Sequence, residues 1–158
     1  ITSLRCNVQT ISALSDRRIK ENIKSNVPGL RFITKLTPVT YHINKVKEAK
    51  LVGYSLANVK EDPTLHSGFI AQEVEQAAKA AGYDFEGVRR EEDGKYYTLG
   101  YTLFVVPLVQ SVKELNAEVE ELKAKLQEST TAYNQLSDQV KRLQDLLGVP
   151  KAEMSAKK

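Results

Sequence analysis

The sequence predicts an α+β protein in which a small mixed globular domain is followed by a long C-terminal helix that forms a coiled coil. Two observations support this prediction. Apolar residues repeat in heptads over the C-terminal third, and short helix-rich and β-rich segments separated by turn residues precede them. The expected parts are the globular domain at 15–106, the coiled coil at 107–147 and a flexible tail at 148–158.

The C-terminal helix is predicted by a heptad repeat of apolar residues that runs without a slip. The a positions are Val112, Val119, Leu126, Tyr133, Val140 and Leu147, and the d positions are Leu115, Leu122, Ser129, Leu136 and Leu143. Glu118 at g and Lys123 at the following e position have opposite charges, which suits parallel chains. A lone helix would leave this seam exposed, so the chain is expected to self-associate. The heptads alone leave a dimer and a trimer open.

Four segments of the globular domain have the composition of regular secondary structure. They are a short helix at 30–36, a strand at 37–44, a helix at 71–81 and a hairpin at 88–99. Gly82 is expected to end the longer helix, and Asp93-Gly94 is expected to form the hairpin tip. The domain has few large apolar residues for its length, so neighbouring chains are expected to complete its core.

Composition excludes several classes of partner and cofactor. The net charge is only +3 and basic residues alternate with acidic ones, so no nucleic-acid partner is expected. No apolar run has the length of a membrane helix, so no membrane partner is expected. Cys6 is the single cysteine and the histidines, His42 and His66, are isolated, so no metal site is expected. The chain lacks an initiator methionine and a signal peptide, which suggests a C-terminal piece of a longer protein.

The segment from Ser15 to Lys20 has two interpretations. In the first, Ser15 caps a helix, Asp16 lies in its first turn and Lys20 is a surface cation; this is the commoner outcome for so short a motif. In the second, Ser15 is a nucleophile and Lys20 is its general base. Lysine ordinarily has a pKa near 10.4, so the base must lose its charge through burial or through nearby cations such as Arg17 and Arg18.

The spacing of Ser15 and Lys20 constrains the second interpretation. On a regular α-helix, residues five apart project about 140° from each other. The two side chains therefore cannot meet on one continuous helix. Either the helix breaks after Ser15 or the lysine comes from a neighbouring chain, and in that second case the pair would be incomplete until the chains assemble.

Four features in order resemble one family. Ser15–Ile23, Pro38–Tyr41, His66–Val74 and the terminal coiled coil occur in this order in endosialidase-type intramolecular chaperone domains. These domains stand at the C-termini of phage tail spikes, tail fibres and some bacterial surface proteins. The resemblance covers about residues 13–147 and implies a parallel trimeric coiled coil, a homotrimer, and a folding client in the upstream part of the same polypeptide.

The resemblance also implies autoproteolysis by a self-cleaving serine endopeptidase, a hydrolase with a Ser-Lys dyad and a single turnover. Ser15 corresponds to the nucleophile, Lys20 to the base and Leu14–Ser15 to the cleaved bond. The resemblance therefore implies that residues 1–14 are an upstream segment, the end of the stalk that precedes the cleavage site. Residues with possible supporting roles at the dyad are Asp16, Arg17, Arg18, Gln72 and Glu73. The scheme needs no cofactor.

The expected location is a phage virion tail or a bacterial cell surface, with the released chaperone fragment soluble. The alternative function is a non-catalytic trimerisation or adhesin module that remains attached to the upstream protein. The sequence identifies neither the upstream protein and its ligand nor the groups of the oxyanion hole.

Overall fold

The structure is a computed structural model that describes residues 13–57, 59–91 and 94–148. Most of the predicted upstream segment at 1–14 therefore lies outside the described residues, as do Cys6, Asp93 and the predicted tail after Gly148.

The described chain has a mixed α+β fold, as predicted. Its elements in order are a 3-10 helix at Arg17–Ile19, α1 (Leu30–Ile33), β1 (Val39–Tyr41), α2 (Lys45–Val52), β2 (His66–Gly68), α3 (Ala71–Ala80), β3 (Val88–Glu91), β4 (Tyr96–Leu99), a 3-10 helix at Tyr101–Phe104 and α4 (Val105–Leu147). Strands β1 and β2 form one antiparallel pair, and β3 and β4 form another. The 43-residue α4 is the long C-terminal helix that the heptads predict.

The four predicted segments are confirmed as α1, β1, α3 and the β3–β4 hairpin, whereas α2 and β2 were not predicted. The helix α2 begins where the side chain of Asn44 accepts a hydrogen bond from the Lys47 amide, and it ends at Gly53 with a φ of 85°. Ala49 is its one buried residue, so α2 has almost no apolar periodicity to reveal it. The strand β2 is three residues long and depends on pairing with β1.

An aromatic cluster forms the core of the globular domain. Phe32 of α1 is fully buried, and its ring centroid lies 5.0 Å from that of Phe85. The rings of Phe85 and Phe104 lie 4.8 Å apart in an edge-on arrangement, which is favourable for aromatic pairs. Val74 and the small residues of α3 complete the cluster. The core therefore joins α1 and α3 to the beginning of α4.

The junction of α1 and α4 depends on a close approach at Gly29. A Cβ atom at this position would lie 2.7 Å from the backbone nitrogen of Ser111 and 2.5 Å from Oε2 of Glu114, so a side chain cannot fit. The amide of Leu30 donates a hydrogen bond to the same Glu114 oxygen at 2.7 Å. A carboxylate of α4 thus caps the first turn of α1, where free amides and the helix dipole favour negative charge.

The globular domain covers only part of α4 and leaves the heptad seam open. Pro107 and Ser111 are buried, and with Gln110 and Glu114 they occupy c, f and g positions, outside the a and d seam. The a and d residues from Val112 to Leu147 are all exposed. The helix of the predicted coiled coil is therefore present and its apolar stripe is available, while the trimeric state stays a prediction.

We predict that Gly29→Ala destabilises the domain by about 1–3 kcal/mol, the usual cost of overpacking. The added methyl group would collide with backbone atoms of α4, which cannot rotate away. Thermal and urea unfolding followed by circular dichroism measures this cost. Lys35→Ala, on the exposed surface just after α1, is the control and should change stability by less than about 0.5 kcal/mol. Equal stability of both variants would contradict the close approach.

We predict that Glu114→Gln weakens the acid dependence of stability. Hydrogen bonds from Gln110 and from the Leu30 amide lower the pKa of Glu114 from its ordinary value of 4.5. A lowered pKa in the folded state means that the stabilisation is present above pH 4.5 and is lost as the pH falls through the folded-state pKa.

Melting temperatures between pH 6 and about pH 3 test this prediction. The wild type should lose more stability than Glu114→Gln as the solution is acidified, whereas the surface variant Glu128→Gln should behave like the wild type. Parallel curves for wild type and Glu114→Gln would contradict the assigned contact.

Candidate functional site

Ser15 and Lys20 lie in direct contact within one chain. The Lys20 amine donates a hydrogen bond to Ser15 Oγ at 2.7 Å, and both residues are exposed. The chain between them is a single 3-10 turn at Arg17–Ile19, and Lys20 itself is extended, with φ −102° and ψ 123°. Of the two ways in which the side chains were expected to meet, this structure has the break in the helix.

Asp16 builds the turn that brings the pair together. Its side chain accepts a hydrogen bond from the Arg18 amide at 2.8 Å, and its carbonyl accepts one from Ile19. The N-cap of the turn is therefore Asp16, and the interpretation of Ser15 as the helix cap is wrong. The physical reason is that a 3-10 turn needs only three residues, so it begins one position later and leaves the Ser15 hydroxyl free to meet Lys20.

Asp16 also binds the guanidinium group of Arg18. Arg18 donates to both carboxylate oxygens, with distances of 3.0 Å from Nε to Oδ1 and 2.7 Å from Nη2 to Oδ2. These bonds lower the pKa of Asp16 and raise that of Arg18. The charge of Arg18 is thus largely balanced by its neighbour, which weakens its expected influence on Lys20; Arg17 is exposed on the same turn.

Gln72 and Glu73, the other residues with a predicted supporting role, lie in the first turn of α3 and are exposed. Among the described residues, neither side chain makes a hydrogen bond or ion pair with Ser15 or Lys20. Gln72 lines a cleft of about 560 Å³ that the sequence analysis did not single out. Aromatic residues of β1, β4 and the 3-10 helix before α4, together with one residue just after β2, form much of its wall: Tyr41, Tyr96, Tyr97, Tyr101 and Phe69.

The two histidines are separate from the Ser15–Lys20 pair. His42 Nδ1 lies 3.1 Å from the Thr64 carbonyl, and the ring of His66 stacks on Tyr41. Within the described ranges, His66 Nε2 is buried without a hydrogen-bond partner. The same ranges contain no cluster of three or more metal-ligating side chains.

Asn22 is a feature of the site that the sequence analysis missed. Its φ is 51°, and it is the one non-glycine residue of the described ranges with a left-handed backbone. Asparagine tolerates this conformation better than most residues. An asparagine two residues after Lys20 could therefore have indicated a left-handed turn at this point of the sequence. The left-handed residue turns the chain as it leaves the Ser15–Lys20 pair.

The geometry of the pair suits nucleophilic chemistry. A serine hydroxyl within hydrogen-bond distance of an amine can transfer its proton to that amine when the amine is uncharged. The Leu14–Ser15 peptide bond adjoins the hydroxyl, and the Leu14 side chain is 81% exposed. Fold and site together define a small α+β domain that presents a hydroxyl–amine pair beside an accessible peptide bond and carries a long helix with an open apolar seam.

Comparison with known families identifies this domain. Residues 15–83 match the model of the family named Peptidase S74 and described as "Chaperone of endosialidase". The match supports the resemblance to endosialidase-type chaperone domains that the motifs predicted, and the name of the family is that of a peptidase. The match begins at Ser15 and ends before the β3–β4 hairpin. No curated protein and no solved structure showed significant similarity to the chain.

None of the helices in the described residues combines the length and the apolar composition that crossing a membrane requires.

Proposed function

We propose that this chain is an intramolecular chaperone that trimerises through residues 107–147 and assists the folding of an upstream trimeric β-structured fibre or spike. It then releases itself by cleaving the Leu14–Ser15 bond. The observation that carries the proposal is the 2.7 Å hydrogen bond between Lys20 and Ser15, at the first residue of the family match. The proposed setting is a phage tail or a bacterial cell surface, from which the cleaved domain departs.

The proposed reaction is an acyl transfer followed by hydrolysis. Ser15 Oγ attacks the carbonyl carbon of Leu14 while Lys20 takes the hydroxyl proton. The tetrahedral intermediate collapses with cleavage of the peptide C–N bond, and Lys20 returns the proton to the departing Ser15 nitrogen. Water then hydrolyses the resulting ester, which leaves a carboxylate on Leu14 and restores the Ser15 hydroxyl. Backbone amides must stabilise the oxyanion in both steps.

In the proposed mechanism, assembly of the chains allows Lys20 to act as the general base. A lysine accepts a proton only when it is uncharged, and burial favours the uncharged form. In a single chain the Lys20 amine and the Ser15 hydroxyl are in contact, but both residues are exposed to water. We therefore place the active state in the assembled trimer, where a neighbouring chain excludes water from the pair.

The open seam of α4 supports the assembly step. Its exposed a and d residues continue for several turns beyond the globular domain, and a parallel coiled coil would bury them. Holding three chains at one end raises the effective concentration of the upstream strands, whose pairing is otherwise entropically costly. After the chaperone domain has been removed, the folded fibre unfolds only slowly because its unfolding barrier is high. The stability of the mature fibre is therefore kinetic.

We predict that Ser15→Ala abolishes cleavage and that Lys20→Ala slows it by at least about 100-fold, the usual contribution of a general base. Lys20→Arg should be as inactive as Lys20→Ala, because a guanidinium stays protonated. Mass spectrometry of the assembled protein measures this directly, since the product chain begins at Ser15.

Lys24→Ala and Ser25→Ala are matched controls, since both residues are exposed and lie just downstream on the same segment. They should cleave at the wild-type rate. Wild-type protein that assembles, as judged by sedimentation, but stays intact would favour the non-catalytic trimerisation or adhesin module. Cleavage that persists in Ser15→Ala would rule out the proposed nucleophile.

We predict that Asp16→Ala slows cleavage roughly tenfold to a hundredfold, because the turn that aligns Ser15 with Lys20 loses its cap. Arg18→Ala removes only the exposed ion pair and keeps the cap, so its effect should be less than about threefold. Asp16→Asn retains an acceptor for the Arg18 amide and should remain close to wild type. Equal rates for Asp16→Ala and Arg18→Ala would show that the cap does not align the pair.

A further inference from the structure

Two neighbouring positions in the seam of α4 differ in size from all the others. Ser129 is the one polar residue of the a and d series, and Tyr133, at the next a position, is the one aromatic residue. The other members of both series are leucine or valine. The helix is continuous from Val105 to Leu147, so neither residue interrupts the seam. Both residues are exposed, Tyr133 to 69%.

The small residue and the large one are placed to complement each other. Ser129 comes four residues before Tyr133, so the two lie on one face of the helix, about 6 Å apart along its axis. Aromatic side chains of α-helices lean towards the N-terminus, over the residue three or four positions earlier. The Tyr133 ring therefore extends towards the level of Ser129. At that level the short serine side chains leave room between associated helices.

The rest of the seam distinguishes poorly between aligned and shifted chains. A shift by one heptad, about 10 Å along the axis, would still place leucine and valine against leucine and valine. In the first half of the seam, Glu118 and Lys123 face each other when parallel chains are aligned. In the second half, the e and g positions from Thr130 to Gln144 carry no charge: Thr130, Ala132, Ser137, Gln139 and Gln144.

We propose that Ser129 and Tyr133 fix the register in which copies of this chain associate. In aligned chains, the Tyr133 rings fill the space that the Ser129 layer leaves. After a shift by one heptad, the ring of one chain would instead meet Leu122 or Leu136 of another, and Ser129 would leave a void at a different level. Overpacked layers and voids both destabilise an apolar core. The proposal rests on the proposed function, from which it takes the parallel trimer.

The register of the coiled coil also determines how the upstream strands are presented. A shift of one heptad would offset one chain by about 10 Å, which equals about three residues of a β-strand. The strands of the client would then start to pair out of step. The layer formed by Ser129 and Tyr133 therefore holds the beginnings of the three client strands level with one another.

Cysteine cross-linking of the full chain measures the register, with Cys6→Ser as the background. Two proteins, one with Leu136→Cys and the other with Leu143→Cys, are unfolded together, refolded as a mixture and mildly oxidised. Both substitutions are at d positions, so aligned parallel chains join like positions, whereas a shift by one heptad joins position 136 to position 143. Mass spectrometry of the peptides distinguishes like from mixed disulfides. Mixed disulfides as frequent as like ones, with the native Ser129 and Tyr133 present, would overturn the proposal.

Removing the difference in size should relax the register. Ser129→Leu with Tyr133→Leu should still sediment as the wild-type oligomer, but the share of mixed disulfides should rise at least about fivefold, because all layers become alike. Tyr133→Val alone should change the share in the same direction, which keeps the test decisive if the double variant changes its oligomeric size. Val119→Leu is the control, since it alters another a residue and keeps the serine and the tyrosine, and its mixed disulfides should stay rare.

The outcomes separate this proposal from the proposed function. An unchanged share of mixed disulfides in the variants of Ser129 and Tyr133 would overturn their role in the register and leave the proposed function standing. Monomeric wild-type protein in sedimentation would overturn the proposed assembly, and the register with it.

Discussion

The close contact of Gly29 with the side of α4 is the constraint on which the rest of this structure depends. Because Gly29 has no side chain, α1 can lie against Ser111 of α4. Glu114, also on α4 of the same chain, then caps the first turn of α1. This contact fixes the globular domain on the c, f and g positions of α4 and therefore decides which side of the long helix remains free. The free side is the heptad seam, so folding of a single chain prepares the surface for association without occupying it.

The Ser15–Lys20 pair obeys a different and more local constraint. Five residues separate the two positions, and only a tight turn between extended residues brings the amine to the hydroxyl. Asp16 provides that turn, since one side chain serves both the Arg18 amide and the Arg18 guanidinium. The segment has no buried residue, so its geometry is held by polar contacts that water can compete with. A neighbouring chain that excluded water would strengthen those contacts, because electrostatic interactions are stronger at lower dielectric constant.

Periodic features of the fold were predictable from sequence, and features that depend on distant partners were not. The heptads predict α4, and the β-rich run around the Asp93-Gly94 turn predicts the hairpin, because each signal repeats within a short window. β2 is three residues long and exists through its pairing with β1, so it has no pattern of its own. The cap of α1 comes from Glu114, 84 residues away, and no local rule connects them. At the site, the broken helix was one of two alternatives that the spacing of Ser15 and Lys20 left open, whereas the cap at Asp16 depends on a 3-10 turn that the sequence analysis did not predict.

The proposed function sets two requirements, alignment of the reactive pair and control of when it acts. Premature cleavage would detach the helper before its client has folded, so the reactive pair must form early but act late. In a single chain, the hydroxyl and the amine are already at hydrogen-bond distance, yet both residues are exposed to water. In the proposed scheme, water is removed from the pair when the open surfaces of α4 meet other chains. In the proposed scheme, alignment within the chain and desolvation between chains are distinct steps, and the second is the point at which folding of the client would be coupled to release.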